Sequence, residues 1–479
     1  MGLKGHVIKH PLNILTEEEV KRIHYGALEV MERTGVVFHH KKALEILGDA
    51  GCDVDVDKEL VRFPNYLVEE SLRKCPRRVL LKGMTPEYDV VIGDPYVHFA
   101  SCIAMDMLDP ETMDRKTPTV QDHINLTKVL DYLNEVHLVY GQYTRIEGVA
   151  DMCIHPERFN IQLKHTSKPS ITAGVFGNEI WTIKMAQAVG QNPMGHAQCS
   201  PPLTWSTDKI DCMLHYVEAG FPILPGTGLA MGMTSPVTLA GALVQQQAEI
   251  LSGIVLAQIV KPGIGVVVKG RIEPADMRTG MIAEGGVEKV IADAAWNQIW
   301  RWYQVPRWHT VVSTDSKVPD FQCGMEKALH FLLSALTGSN IIAGIGTVYD
   351  ELTASPIAAI MDNELARRVG RIIDGVAVNE ETLAVDLINE VGPIPGQFLG
   401  TEHTRKLWQS ELLLPDVTDR LGYSEWAAKG KKTSLDYAME KYERILATYE
   451  PRPLTVSQEE EIDSIMVEAR QYYREKGMA

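Results

Sequence analysis

The stretch HTVVSTDSKVPDFQCGMEKALHFLLSALTGSNIIAGIG, residues 309–346, decides the fold. It opens on a β-branched apolar run, HTVVST at 309–314, and turns through polar residues into a helical stretch at about 320–337. It closes on a second apolar run, NIIAGIG at 340–346. Two short apolar strands joined by a helix make a βαβ unit, in which the strands run parallel and are buried on both faces.

Working outward, the same unit recurs. Six more apolar runs precede it: YVHFASCI (96–103), VHLVYGQY (136–143), SITAGV (170–175), GHAQCS (195–200), FPILPGT (221–227) and GIGVVVKG (263–270). Helical stretches follow the eight runs at about 119–134, 155–165, 177–190, 207–219, 236–261, 286–304, 320–337 and 356–376. Eight strand–helix units are what a TIM (β/α)8 barrel requires, whereas a doubly wound open sheet has fewer repeats. The expected class is therefore α/β, with the barrel at 86–378, an N-terminal helical segment at 1–85 and a C-terminal helical extension at 379–479 packed on the barrel. Ser235-Pro236 and Ser355-Pro356 each offer an N-cap before a proline at the first helical position. Thr16 with Glu19, and Ser457 with Glu460, have capping-box spacing.

Composition narrows the function. Acidic residues outnumber basic ones 63 to 47, giving a formal charge of −16 over 479 residues, which argues against sequence-independent nucleic-acid binding. The seven cysteines, at 52, 75, 102, 153, 199, 212 and 323, are odd in number and unpaired in spacing, as in reduced cytosolic proteins. The N-terminus MGLKGHVIKHPLNILTEEEV lacks a signal-type apolar core, and AGALVQQQAEILSGIVLAQIV carries three glutamines and Glu249, so it reads as a buried helix. The expected location is cytoplasmic, with no membrane and no nucleic acid as partner.

Barrel chemistry sits at the C-terminal ends of the strands. The turn after the seventh strand gathers Asp315, Ser316, Lys317, Asp320, Gln322 and Glu326; Gln322 and Glu326, four apart, share a helix face. The bland alternative is a capped, solvated helix start. The glycine-rich loop after the eighth strand brings Tyr349 and Glu351, and the segment after the sixth brings Arg271, which could grip a carboxylate through two parallel hydrogen bonds. If the ligand is a quaternary ammonium ion, aromatic faces and carboxylates must hold it, since it has no N–H to donate. Tyr96, Phe99, Tyr143, Trp205 and Tyr349 are the aromatic candidates, with His98 and His403 as polar contacts. His196 and Cys199 form an HxxC pair, but a zinc site needs three or four ligands, so no bound metal is expected. No GxxxxGK[ST], no GxGxxG behind a strand and no GxSxG is present.

Several long segments, in order, resemble the trimethylamine methyltransferase family. They are TSPVTLAGALVQQQAEILSGIVLAQIVKPG (234–263), ADMRTG (275–280), TDSKVPDFQCGMEKALHFLLSALTGSNIIAGIG (314–346) and GQFLGTEHTRKLWQSELLLPDVTDRLGYSEW (396–426), with weaker likeness at PETMDRKTPTVQD. The resemblance implies a TIM barrel that presents a small methylated amine to the cobalt of a corrinoid (cobalamin) carried by a separate partner protein. Members specific for trimethylamine carry pyrrolysine; this chain has only ordinary residues, and Thr314 to Glu326 is uninterrupted. It therefore resembles the branch lacking pyrrolysine, associated with glycine betaine and similar quaternary amines. A quaternary ammonium leaves as a neutral tertiary amine, which makes it the better methyl donor. Glycine betaine giving dimethylglycine is the leading expectation, with Arg271 on the carboxylate, Asp315, Gln322 and Glu326 as positioning groups, and a homo-oligomer as a further one. A zinc-dependent methyltransferase using His196 and Cys199, and a quaternary-amine binding protein without catalysis, stay open as alternatives.

Overall fold

The computed structural model describes residues 3, 5–141, 143–174, 176–309, 311–452 and 454–478. Eight parallel strands form the centre: β1 (Tyr96–Ser101), β2 (Val139–Tyr140), β3 (Ser170–Ala173), β4 (Met194–Cys199), β5 (Ile223–Met231), β6 (Val268–Asp276), β7 (Arg307–His309) and β8 (Ile341–Ile345). From β2 onward each pairs with the next, and β8 returns to β1. The ring closes between β1 and β2 through the Ala100–Leu138 bridge and the His137 N–H donated to Phe99 O at 2.8 Å. The outer layer is α1 (Val120–Tyr132), α2 (Asp151–His165), α3 (Glu179–Val189), α4 (Thr207–Ala219), α5 (Leu239–Val260), α6 (Val287–Tyr303), α7 (Phe321–Leu336) and α8 (Pro356–Asp374). This is the (β/α)8 barrel that the eight repeats predict.

Some boundaries move, for identifiable reasons. Strand β6 starts at Val268 rather than at 263 and runs on to Asp276, because its main chain stays laddered to β5 as far as Met231–Pro274 whatever the polarity of the side chains. Strand β7 begins earlier and leaves the ladder after His309; the predicted run extended to 314 and includes Thr310, outside the described residues. Ser355 caps α8 as expected, accepting the Ala358 N–H at 3.1 Å. Ser235 does not cap α5: Gly232 N–H bonds Ser235 O and Thr234 N–H bonds Ala230 O, a turn that delays the helix until Thr238. The last helix is capped by Thr455 with Gln458, two residues before the expected pair, whereas the Thr16–Glu19 box forms.

The N-terminal segment is mixed rather than purely helical. Its helices Glu17–Glu29, Lys41–Asp49 and Asn65–Lys74 accompany a small sheet of Val36–Phe38, Asp53–Asp55 and Leu60–Arg62, to which the barrel loop adds Thr204–Trp205. A hairpin pairing Val79–Leu81 with Val90–Ile92 spans the boundary expected at 85. Its Val79, Leu81, Val90 and Ile92 pack with Leu138, Ile171, Met194, Leu224, Val267 and Ile341, sealing the barrel floor. The apolar helix α5 is a core element, with 72% of its most apolar window buried. At the C-terminus, Ser434–Thr448 packs on α1 and α8 and Val456–Glu475 on α2 and α3.

Candidate active site

Because side chains alternate along a strand, β4, β5 and β6 each send every second residue into the barrel. On β4 these are Met194, His196 and Gln198; on β5 Leu224, Gly226 and Gly228; on β6 Lys269, Arg271 and Glu273, above Val267. His196, Gln198, Gly228, Lys269 and Arg271 keep some accessible surface, while the outward residues between them (Ala197, Cys199, Leu229, Gly270, Ile272) are buried. The barrel therefore encloses space at its C-terminal end.

Arg271 is the centre of a charge cluster there. It pairs with Glu273 and Glu284, and its Nη1 lies 3.3 Å from Glu351. Glu284 also pairs with the fully buried Lys289. Burial disfavours the Glu284 carboxylate, but Arg271 and Lys289 outweigh it and hold its pKa at about 2. Burial raises the pKa of Glu351 against the pull of Arg271, and its Oε2 accepts from the Cys102 thiol at 3.7 Å. Arg271 and Lys289 face three glutamates, with Lys269 a third cation near Glu351. Arg271 therefore meets its counter-ions inside this cluster, at the place where a substrate carboxylate was expected to bind it.

The loops after β7 and β8 add further carboxylates. Tyr349, Asp350 and Glu351 are three successive non-glycine residues with left-handed φ of 50°, 55° and 64°, a costly arrangement that surrounding contacts must enforce. Tyr349 N–H bonds Ser316 O at 2.8 Å, Asp350 N–H bonds Thr314 O at 3.1 Å, and Glu351 N–H bonds Ser313 Oγ at 3.0 Å. This stitching aims Glu351 at Arg271 and brings Asp350 against Asp315. Burial, with the Asp315 carboxyl beside it, pushes the pKa of Asp350 up to about 7. Asp315 accepts the Glu284 N–H at 2.8 Å, tying the β6 and β7 loops together. Glu326 accepts from Asp315 N–H at 3.0 Å and from Gln322 Nε2 at 2.9 Å, so the i,i+4 pair forms. Asp315, Gln322, Glu326, Arg271 and Glu351 are thus brought together, and Tyr349 stands beside them with Lys317 Nζ 5.0 Å from its ring centre.

Other candidates lie elsewhere. Phe99, in the outward register of β1, and Tyr143, past the end of β2, pack under the helices with Leu126 and Val129. Trp205 stacks on Phe38 in the N-terminal sheet and donates to Ser252 Oγ at 2.9 Å. His98 faces inward at the floor, where its Nε2 meets Val91 O at 3.0 Å and Tyr96 lies beside it. His403 bonds Glu381 O within the C-terminal extension. His196 and Cys199, three apart on a strand, face opposite sides: Cys199 turns outward, Sγ to Thr204 O at 3.3 Å. They cannot share one zinc ion, which overturns that alternative, and no group of three or more potential metal ligands occurs among the described residues.

Sequence reading missed Tyr140, Gln198, Lys269, Glu273, Glu284, Lys289, Trp308 and Asp350. A signal existed for β6, where VKGRIEP places Lys269, Arg271 and Glu273 at period two directly after an apolar run. Glu284 sits in a glycine-bearing loop with no such pattern. A cavity of about 660 Å3 on the flank, lined by Leu15, Ile23 and Val244 among others, shares no residue with the charged cluster.

A closed (β/α)8 barrel with convergent charged groups at its C-terminal mouth defines an enzyme of the TIM-barrel class. The chain belongs to the trimethylamine methyltransferase (MTTB) family, whose model matches residues 5–472. It is 32% identical to trimethylamine methyltransferase MttB of Desulfitobacterium hafniense, over 96% of this chain and 94% of that protein. It is 29% identical to glycine betaine methyltransferase of the same species, over 92% and 94%. Among solved structures, monomethylamine methyltransferase of Methanosarcina barkeri is similar with a TM-score of 0.45 and 11% identity, over 97% of this chain and 94% of that one. The chain is a methyltransferase of a family acting on methylated amines, which replaces the reading as a binding protein without catalysis.

Proposed function

We propose that the chain transfers a methyl group from a quaternary amine, with glycine betaine as substrate and dimethylglycine as product, to a corrinoid carried by a partner protein. The observation that carries this reading is the excess of carboxylates around Arg271 at the barrel mouth. A trimethylammonium group cannot donate hydrogen bonds, so it is held by charge and by exclusion of water, and this cluster offers both.

The reduced cobalt of the corrinoid supplies the two-electron nucleophile. The methyl carbon accepts that electron pair as its bond to nitrogen breaks, and the nitrogen keeps the bonding pair, leaving as a neutral tertiary amine. No proton moves, so no general base is required. What the chain contributes is orientation of the C–N bond toward the mouth, and a negative surround for the cation. The rim suits a bulky apolar visitor: Phe176, Met233 and Met277, on the loops after β3, β5 and β6, and Phe321, at the start of α7, are exposed.

The test is anaerobic incubation of the protein with reduced cobalamin and, separately, glycine betaine, carnitine, tetramethylammonium and trimethylamine. Dimethylglycine appearing as reduced cobalamin is consumed supports the reading; turnover of trimethylamine alone would overturn it.

A further inference from the structure

The acidic cluster accounts for the cationic end of such a substrate and leaves the β4–β6 sector of the chamber without a role. Gly226 on β5 is the register partner of both Gln198 on β4 and Lys269 on β6, so a side-chain-free position lies between two long polar residues. A Cβ added at Gly226 would lie 3.1 Å from Lys269 Cβ and 3.5 Å from His196 Nε2; one at Gly228 would lie 3.3 Å from Gln198 Nε2. Both glycines thus keep the wall open beside these groups.

The groups facing this notch have donors left without an acceptor among the described residues. Among the described residues Lys269 Nζ has no carboxylate or carbonyl within bonding distance; it lies over the rings of Tyr140 and Trp308, 5.6 and 5.4 Å from their centres. Gln198 makes no side-chain hydrogen bond among the described residues, and His196 Nε2 is buried without a partner. Burial and the nearby Lys269 hold the His196 imidazole neutral. Its Nδ1 lies 3.2 Å from the Tyr140 hydroxyl, and a hydrogen bond donated by that hydroxyl leaves the ring proton on Nε2 as a donor toward the chamber. An enclosed ammonium with three N–H donors and no acceptor is costly, and aromatic faces offset only part of that cost. Arg271 already faces three glutamates, which makes it the weaker attractor for an incoming anion.

We infer that Lys269, with Gln198 and His196 around Gly226, forms a carboxylate subsite that selects N-methylated amino acids over methylated amines lacking a carboxyl group. The identity of the ligand rests on the function proposed above; the subsite itself rests on the unpartnered donors. A carboxylate offers enough lone pairs for all three. Lys269 on it and the glutamates on the ammonium would orient a zwitterion along the chamber.

The experiment is calorimetry on the full chain with three probes: glycine betaine, tetramethylammonium (the cation alone) and 3,3-dimethylbutyrate (the carboxylate on a neutral carbon isostere). Lys269→Met should weaken both carboxylate probes by about 10- to 100-fold, the loss expected for a charge-assisted contact, and leave tetramethylammonium unchanged. Gln198→Leu, a milder change that stands in if the first variant does not fold, should weaken the same two probes by roughly 3- to 10-fold. Unchanged binding of the carboxylate probes, equal weakening of all three, or no binding of either carboxylate probe by the parent protein would overturn the subsite. Parallel methyl-transfer assays separate the two readings. Lys269-dependent binding without transfer keeps the subsite and overturns the reaction; transfer from glycine betaine with an unchanged KM in Lys269→Met does the reverse.

Discussion

The floor and the mouth of this barrel are made by the same strands, two residues apart. At the floor the inward positions are Leu138, Ile171, Met194, Leu224, Val267 and Ile341, closed off by the hairpin of Val79–Leu81 and Val90–Ile92. One or two steps up the same strands stand Tyr140, His196, Gln198, Gly226, Lys269 and Arg271. The floor is stabilised by apolar burial and has one arrangement. The mouth concentrates charge in an enclosed space, where each ion depends on its partner. On the proposed function, stability and recognition are divided by height on one sheet, so a mutation's effect should follow its height more than its distance along the chain.

The largest effect is expected where that dependence is strongest. Glu284→Gln removes one of the three glutamates on Arg271 and, among the described residues, the carboxylate paired with the buried Lys289, and should cost about 3–5 kcal/mol in denaturant unfolding, together with loss of methyl transfer. A stability close to that of the parent would mean that the mouth is solvated, and the contrast with the floor would collapse. At the floor, Leu224→Ala should cost about 2–5 kcal/mol. Its kcat/KM, measured on the folded fraction, should stay within about twofold of the parent, because the cavity opens among the apolar residues of the floor. A KM change as large as that of a mouth variant would break the division by height.

A pH series sharpens the picture of the mouth. Asp350 ordinarily titrates at 3.8 but is raised to about 7 here, so it is neutral through the acid range and gains its charge only as pH rises past about 7. A bound cation favours the charged form. Affinity for glycine betaine should therefore rise across this interval, by roughly fivefold for a partly screened charge near the ligand. Asp350→Asn should flatten that step, and calorimetry at pH 6 and pH 8 would show it. The smallest effect lies outside both regions. Ser355→Ala removes the α8 cap and should cost about 1 kcal/mol without moving KM, as thermal unfolding and steady-state kinetics would report.

How much of this was legible in the sequence differs by level. The eight repeats were visible because parallel strands are buried on both faces and so read as apolar runs, and the helices between them carry caps such as Ser355-Pro356. The signal weakened where main-chain pairing continued through polar residues, as at Lys269 to Asp276, and where a turn delayed a helix, as at Ser235. Family segments such as TDSKVPDFQCGMEKA pointed to the mouth loops, and Asp315, Gln322, Glu326 and Glu351 do converge there. The aromatic candidates were chosen by position along the chain, which does not tell inward from outward. Phe99 differs from Ala100 by one step of strand parity, which sends it under the helices, and Tyr143 lies three residues past Tyr140, beyond the end of β2.

The order of strands and helices, the acidic balance and membership of a methyltransferase family were determined by the sequence, because each depends on local pattern or on many residues matched in order. Which side chains share the chamber was decided only by the tertiary structure. Glu284, Arg271 and Glu351 are separated by up to 80 positions and meet because a closed barrel brings the ends of distant strands to one mouth. The same closure sets Gly226 between Gln198 and Lys269, and surrounds Arg271 with three glutamates. Charge compensation is a property of distances in space, and no stretch of chain encodes it alone.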